Sequence, residues 1–289
     1  MIQTVSTART AITVLAALSA AALLASCASP EADTVSAPEG TAAVAPPAIL
    51  TEGTLNICAN FGTPPNIYED EAGNPTGAEA DLAEAIATEL GLETEWVTLS
   101  FAGLIPALQA QQCDVIMSSL YIRAEREEIV DFVPYLVSGT AIAVRVDNPQ
   151  NITGFDDSLC GTKLLAVNGA TGAGYADEKS AECTAAGEPS IDITITDDGA
   201  NGLQLVLTGQ VDAFIDSAEL VGFYEKLADG ELVRAGDSFG QINIGAATLK
   251  GNDDLNAAIQ KAFDALVENG AYEAILADWG FQDRNIANG

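Results

Sequence analysis

Residues 113–135 read CDVIMSSLYIRAEREEIVDFVPY, and this stretch decides the fold that the sequence predicts. It begins with the apolar run Val115–Met117, which is typical of a buried strand. The run is followed by three hydroxyl side chains, those of Ser118, Ser119 and Tyr121. In open α/β sheets, ligands bind at the carboxyl ends of strands. Arg126 follows the same strand, and its planar guanidinium can hold a carboxylate through two hydrogen bonds.

The two arginines of this stretch also allow a purely structural interpretation. Arg123 and Arg126 could pair with acids on a solvated helix, namely Glu125, Glu127 and Glu128. The composition argues against it, because the chain holds 11 Lys and Arg against 42 Asp and Glu. Two arginines so close together are unusual in such a chain, and they favour a site for an anionic group.

The order of residues in this stretch resembles the polar-amino-acid class of extracellular solute-binding proteins (family 3), the capture subunits of ABC importers. The residues that match the pattern of this family are Asp114, Ser118, Glu125, Arg126, Asp131, Phe132, Pro134 and Tyr135. The departures are Ser119 for the usual glycine, Tyr121 for a small hydroxyl residue, Arg123 for threonine and Val133 for serine. The resemblance extends from about Thr54 to Gly280.

This resemblance implies a two-lobe, type II periplasmic-binding-protein fold of the α/β class. Each lobe is expected to hold a central mixed sheet flanked by helices. Two crossover strands are expected to form the hinge, near residues 144–147 and 242–246. On this basis lobe 1 comprises residues 51–145 and 245–289, and lobe 2 comprises residues 146–244.

Residues 1–26 have the composition of an export signal. Arg9 precedes the apolar run Ala11–Leu24, which is too short to span a bilayer comfortably. The following Leu-Ala-Ser-Cys resembles the bacterial lipobox, which implies that Cys27 is lipidated and becomes the first residue of the mature protein. Residues 27–50, rich in Ala, Ser, Pro, Thr and Glu, are predicted to form a disordered tether. The alternatives are an ordinary signal peptide with an incidental cysteine, or a membrane helix.

The formal net charge of −31 restricts the partners of the protein. Nucleic acid is not expected to bind, because phosphate contacts need Lys and Arg. The chain has no histidine, so the usual nucleophile–base pairs of enzymes are not expected either. Carboxylates remain available for acid–base chemistry. No cofactor and no metal are expected, since neither histidine nor a Cys-x-x-Cys motif is present.

The cysteines after Cys27 fit an exported protein, because disulfides form outside the cytoplasm. Cys58 and Cys113 each border an apolar strand candidate, and Cys160 and Cys183 flank another segment. Four cysteines allow three pairings. We predict Cys58–Cys113 and Cys160–Cys183, with free buried thiols as the alternative.

A glycine-rich loop, residues 168–174 (NGATGAG), follows the buried strand candidate Leu164–Val167. Its glycines allow backbone N–H groups to approach an anion at a helix start. The loop lacks the Lys-Ser/Thr of a phosphate-binding P-loop and the spacing of a dinucleotide fingerprint. It resembles the loop of the family that shares the ligand carboxylate with the arginine of lobe 1. The resemblance places Thr171 and Gly172 at the contacting positions and Asn168 where the ligand side chain is recognised.

The resemblance also suggests ligand contacts at Asn60, Thr63, Phe101 and Asp216. Phe101 is either an aromatic residue that stacks on the ligand or a core phenylalanine. Asp216 is assigned to the ligand ammonium, although an ungapped alignment places the family's aspartate on Ser217, and Asp216 could instead cap a helix over 217–227. Asn60 stands where the family has an acid for the same ammonium.

These expectations together predict the substrate-capture lipoprotein of an ABC importer. It would be a monomer, anchored to the outer face of the bacterial membrane or periplasmic, that binds a small zwitterionic solute and delivers it to permease subunits. Tyr121 fills space and favours a smaller or differently oriented ligand, and Asn60 and Asn168 favour a polar or neutral amino acid. The alternatives are a lipid-anchored ligand sensor without transport and, on the same fold, a dehydratase.

Overall fold

The structure is a computed structural model that describes residues 44–197 and 199–288. The predicted export signal, Cys27 and most of the predicted tether lie outside these described residues. In the described part of the chain, no helix is long and apolar enough to cross a membrane.

The first half of the chain builds the beginning of a mixed sheet and a small separate sheet. Its strands are β1 (Thr54–Ala59), β2 (Gly62–Thr63), β3 (Ile67–Glu69), β4 (Pro75–Thr76), β5 (Glu93–Thr98), β6 (Val115–Ile116) and β7 (Val130–Arg145). Its helices are α1 (Ala78–Leu90), α2 (Leu104–Gln109) and α3 (Ala124–Glu127). Strands β2, β3 and β4 form a separate antiparallel sheet.

The second half of the chain adds the remaining elements. Its strands are β8 (Lys163–Val167), β9 (Asp192–Thr196), β10 (Ala213–Ser217), β11 (Leu232–Arg234) and β12 (Phe239–Leu249). Its helices are α4 (Thr171–Ala185), α5 (Ala200–Leu207), α6 (Ala218–Leu227), α7 (Asp253–Glu268) and α8 (Ala271–Asp278). Helix α4 is longer than the short helix that the sequence predicted after the glycine-rich loop.

The large sheet has the strand order β5-β1-β6-β12-β7-β10-β8-β9, with β11 also paired to β7. Strands β1, β5 and β6 are mutually parallel, as are β8, β9 and β10, and the long strands β7 and β12 join the two groups in antiparallel orientation. The parallel groups direct the carboxyl ends of their strands toward a common region, where ligands bind in sheets of this kind.

The buried cores divide the molecule into two lobes. Lobe 1 contains β1–β6 with α1, α7 and α8, and lobe 2 contains β8–β11 with α4–α6. Along β7, Leu136 packs in lobe 1 whereas Ala141 packs in lobe 2. Ile142 and Val144 are also buried in lobe 2. The change of lobe therefore lies within residues 137–140, several residues before the predicted hinge at 144–147, because an apolar strand shows no break where it leaves one core for another.

The end of the predicted tether belongs to the core of lobe 1. Ile49 is buried, and Val44 and Ala48 pack against the same cluster. The Leu50 N–H donates to Asp114 Oδ1 at 2.7 Å, and Asn252 Nδ2 donates to the Ala48 carbonyl at 2.8 Å. The prediction of disorder was therefore wrong for residues 44–50, where a few apolar residues within a polar segment find a packing partner more than 50 residues away.

Both predicted disulfide pairs are present in the structure. The Cys58–Cys113 disulfide links β1 to the segment just before β6. The Cys160–Cys183 disulfide links α4 to the segment before β8. The first bridge fixes two strands whose carboxyl ends carry Asn60 and Ser118. It therefore braces the lobe 1 side of the region described next.

Candidate functional site

A cavity lies between the lobes at the carboxyl ends of the strands. Lobe 1 contributes Asn60, Gly62, Thr63, Phe101, Ser119 and Tyr121, and lobe 2 with β7 contributes Thr140, Val167, Ala170, Thr171, Gly172, Gly199, Asp216, Ser217 and Leu220. The space open to the centre of a water molecule is about 30 Å³. Since one water needs roughly 10–15 Å³ on this measure, this space holds about two or three waters.

The loop after β6 enters the site through a left-handed residue. Ser119 has φ 51°, a left-handed conformation that favours glycine and is strained for serine. The Ser119 hydroxyl accepts a hydrogen bond from Asn66 Nδ2 at 3.0 Å. Ser118 does not line the cavity: its hydroxyl accepts the Asn60 N–H at 2.8 Å and so joins the ends of β6 and β1.

Glu79 holds the strained Ser119 in place. Its side chain is fully buried at the start of α1, and both carboxylate oxygens accept the Ser119 N–H at 2.8 Å. The Tyr135 hydroxyl donates to Oε1 at 2.6 Å. Burial raises the pKa of Glu79 to about 7, against the lowering effect of these hydrogen bonds. An acid in the first turn of a helix is favoured by the helix dipole alone, so the sequence gives no sign of this distant partner.

Replacing Glu79 by glutamine should reduce the dependence of stability on pH. A carboxyl group with a pKa of 4.5 when unfolded and about 7 when folded binds more protons in the folded state between these values. The free energy of unfolding therefore falls as pH rises from 4.5 to 7, by on the order of 3 kcal/mol for this group. Urea unfolding at pH 5 and pH 8 measures the difference.

Glutamine keeps a carbonyl oxygen for the Ser119 N–H, so the variant should still fold. Glu84→Gln, on the exposed side of the same helix, is the matched control and should keep the wild-type pH dependence. An equal loss of stability between pH 5 and pH 8 in wild type and Glu79→Gln would contradict this assignment.

Arg126 is buried beside the cavity, with 8% of its surface exposed, and does not line it. Its guanidinium donates to the Tyr121 carbonyl at 2.8 Å and to the Gly169 carbonyl of lobe 2 at 3.0 Å. The guanidinium carbon lies 5.7 Å from the centre of the Phe101 ring, within the range of a cation–π contact. Burial lowers the pKa of Arg126 to about 10, which leaves it charged at neutral pH.

Phe101 lies at the cavity, between the apolar clusters of the two lobes. Its half-buried ring lines the cavity and also packs against the apolar clusters of both lobes. The other predicted lobe 1 contact, Thr63, lines the cavity from β2.

The two asparagines predicted as ligand contacts make bonds within the protein. Asn60 lines the cavity, but its Nδ2 donates to the Leu99 carbonyl at 2.9 Å and its Oδ1 accepts the Gly62 N–H at 3.2 Å. Asn168 is exposed, lies outside the cavity lining and donates to Asp197 at 3.0 Å. The structure therefore does not bring Asn168 to the cavity.

Helix α4 points its first turn at the cavity through Thr171 and Gly172. A Cβ atom at Gly172 would lie 2.7 Å from the Ile215 carbonyl oxygen, so only glycine fits there. The N–H groups at a helix start favour negative charge. The hydroxyl of Thr171 is buried and has no hydrogen-bond partner within the described residues, and the same holds for Thr140 of β7. Two unsatisfied hydroxyls therefore lie on the wall of this cavity.

Asp216 ends β10 at the cavity wall. Its Oδ1 accepts the N–H of Ser217 at 2.6 Å. Burial raises the pKa of Asp216 to about 7, and the nearby Glu219 carboxylate acts in the same direction. Ser217, not Asp216, caps α6, because its hydroxyl accepts the Leu220 N–H at 3.3 Å. Among the described residues that line the cavity, Asp216 is the only one with an ionisable carboxyl group.

Several cavity residues were missed by the sequence analysis. Thr140 lies inside the long apolar strand β7, where a threonine is an ordinary strand residue. Val167, Ala170 and Leu220 are apolar, so the sequence does not distinguish them from core residues. Only Gly62 and Gly199, at positions where the two lobes approach each other, belonged to turns that could have been suspected.

Comparison with known proteins assigns the family. The profile of the bacterial extracellular solute-binding proteins, family 3, matches residues 55–283. The chain belongs to this family. Its two-lobe α/β structure is the type II periplasmic-binding fold, and the family is extracytoplasmic.

Individual relatives agree with the family assignment. The chain is 29% identical over 243 residues to the arginine-binding protein ArgT of Corynebacterium glutamicum, which covers 83% of this chain and 79% of that protein. It is 28% identical over 233 residues to the L-cystine-binding protein TcyJ of Escherichia coli, covering 80% and 84%. A solved structure of an ancestral arginine-binding protein bound to arginine superposes with a TM-score of 0.73 at 30% identity, covering 79% of this chain and 98% of that one.

Proposed function

We propose that this protein is the substrate-capture subunit of an ABC importer and binds an amino acid with an uncharged side chain in the cavity between its lobes. It acts as a monomer without a cofactor and delivers the ligand to permease subunits. Lipidation of Cys27 anchors it at the outer face of the membrane.

The observation that supports this proposal is the set of groups around one cavity. Asp216 offers a carboxylate to the ligand ammonium. Thr171 and Gly172 lie in the first turn of α4 at the cavity, and their N–H groups can bind the ligand carboxylate. Arg126 adjoins the same wall behind Phe101. A zwitterion satisfies both charges, whereas a cationic side chain would need a second acid, and the described lining offers none beyond Asp216.

Ligand capture proceeds by closure of the lobes around the hinge. The hydrogen bond from Arg126 to the Gly169 carbonyl already joins lobe 1 to lobe 2. The two lobes also approach closely at Gly169, where an added Cβ atom would lie only 3.3 Å from Ala102 of lobe 1. A ligand that contacts both lobes binds the closed form better than the open form and shifts the population toward it. A permease that recognises the closed form then receives only the loaded protein.

A thermal-shift screen of the purified protein against amino acids, opines and betaines tests the proposal. Binding to the native state at 100 times the dissociation constant adds about 2.7 kcal/mol of stability and raises the unfolding midpoint. We expect the largest shift with an amino acid whose side chain is uncharged, and a smaller one with arginine or lysine. The absence of a shift with any compound that carries both an amine and a carboxylate would contradict it.

A sensor without transport would bind the same ligand, so the screen does not separate the two. The genes beside that of this protein do: permease and ATPase genes support the importer, and a kinase gene supports the sensor.

A further inference from the structure

Tyr121 forms part of the cavity wall, and it is the largest polar side chain of the described lining. Only 5% of its surface is exposed. Its hydroxyl lies 2.8 Å from Ser138 Oγ and 2.7 Å from the Gly139 carbonyl oxygen. Both partners belong to the part of β7 where the strand passes from lobe 1 to lobe 2. The tyrosine therefore spans from the cavity to the hinge.

The hydrogen-bond chain continues beyond the hinge. Ser138 Oγ donates to Glu219 Oε2 at 2.6 Å, which leaves the Tyr121 hydroxyl as the donor to β7. Glu219, buried in the first turn of α6, pairs through Oε1 with Arg284 Nη1 at 2.8 Å. Each of the four side chains thus contacts the next, and the series runs from the cavity wall to Arg284, near the C-terminus. We call these four residues the Tyr121 chain: Tyr121, Ser138, Glu219 and Arg284.

Arg284 is fixed to lobe 1 by its own surroundings. Phe281 and Ile286 on either side of it pack in the lobe 1 core, and Asn285 pairs with Leu136 of β7. Glu219 belongs to α6, whose apolar residues pack in lobe 2. The Tyr121 chain therefore crosses from lobe 1 to the hinge, on to lobe 2, and back to a segment packed on lobe 1.

We propose that the Tyr121 chain fixes the wall of the cavity that faces the hinge and limits the site to short amino acids. This inference rests on the proposed function. A tyrosine held only by packing could rotate to admit a longer ligand. Rotation here would break the hydrogen bond from the Tyr121 hydroxyl to the Gly139 carbonyl and its contact with Ser138 Oγ in a buried region, which is costly. The ring therefore remains in the space that a small hydroxyl residue would leave open.

The decisive experiment compares ligand length preference in wild type and variants by calorimetry. Alanine, serine and threonine serve as short ligands, and methionine and citrulline, whose long side chains are uncharged, serve as long ones. Wild type should bind the best short ligand at least tenfold more tightly than the best long one. Tyr121→Ser should change this ratio by at least tenfold in favour of the long ligands. Tyr121→Phe keeps the ring but removes the hydroxyl that holds it to β7, so its ratio should change in favour of the long ligands by about threefold to fivefold.

Variants of the rest of the Tyr121 chain separate positioning from general stability. Arg284→Gln and Glu219→Gln should each change the length ratio in the same direction as Tyr121→Ser, by about threefold to fivefold. A loss of stability alone would lower affinity for all ligands equally and leave the ratio unchanged. Tyr121→Leu, which is smaller than tyrosine and apolar, replaces Tyr121→Ser if the serine variant does not fold.

The outcomes distinguish this inference from the proposed function. If wild type binds none of the five amino acids, the proposed function and this inference both fail. If wild type binds but its preference for short ligands is absent, or is unchanged in Tyr121→Ser and Tyr121→Leu, only this inference is overturned. A changed ratio in Tyr121→Ser with an unchanged ratio in Arg284→Gln and Glu219→Gln would restrict the limiting wall to Tyr121 and refute the role of the other members.

Discussion

Replacing Arg126 by alanine should lower amino-acid affinity by at least 30-fold. Removing one partner of a buried, hydrogen-bonded charge pair costs about 2–5 kcal/mol, and each 1.4 kcal/mol is a factor of about ten. Two contributions act together in this variant. The cavity wall behind Phe101 loses the positive charge that attracts the ligand carboxylate, and the closed form loses the bond from Arg126 to the Gly169 carbonyl of lobe 2. Calorimetry with the best ligand of the thermal-shift screen measures the loss.

The same stretch provides the matched control, Arg123→Ala. Arg123 pairs with Glu125 at 2.6 Å, and the side chains are 30% and 61% exposed. Exposed ion pairs contribute about 0–1 kcal/mol, so the control should change affinity by less than about fivefold. Arg126→Lys keeps the charge but loses the planar fork, and it should fall between wild type and alanine. An Arg126→Ala variant within threefold of wild type would assign the ligand carboxylate to α4 alone.

The location of the site was predictable because it depends on local patterns. The apolar run before Ser118 predicts a strand, and the glycines after Val167 predict a tight turn into a helix. Each places its polar residues at the carboxyl end of a strand, and parallel strands bring these ends together. Ser119, Tyr121, Thr171, Gly172 and Asp216, which the sequence predicted as ligand contacts, all line this one cavity.

The orientation of side chains within the site was not predictable, because it depends on distant contacts. The guanidinium of Arg126 faces a carbonyl 43 residues away, and Glu79 holds a backbone N–H 40 residues away. Short amide side chains readily bond to nearby backbone, and Asn60 does so in this structure. A residue type and its strand position therefore indicate that it lies near the site, but not which group it contacts.

Replacing Asp216 by asparagine should lower affinity for a zwitterionic ligand by at least 30-fold and remove most of its pH dependence. The ligand ammonium needs an ionised carboxylate, whereas the pKa of Asp216 is raised to about 7 by burial and by Glu219. Below pH 7 the ligand must displace a proton, so affinity should weaken by up to about tenfold for each pH unit. Wild type should therefore bind about tenfold more weakly at pH 6 than at pH 8.

Asparagine has no proton to release, so the affinity of the variant should be nearly equal at pH 6 and pH 8. Asp197→Asn is the matched control, because Asp197 follows strand β9 of the same sheet but lies outside the cavity lining. Its affinity should stay near wild type and keep the wild-type pH dependence.

Glu79 also has a raised pKa of about 7 and holds Ser119 at the cavity, so Glu79→Gln measures its share of the pH effect. A wild-type affinity that is constant from pH 6 to pH 8 would show that the ammonium is bound by neutral groups, for which the free hydroxyls of Thr140 and Thr171 are the candidates.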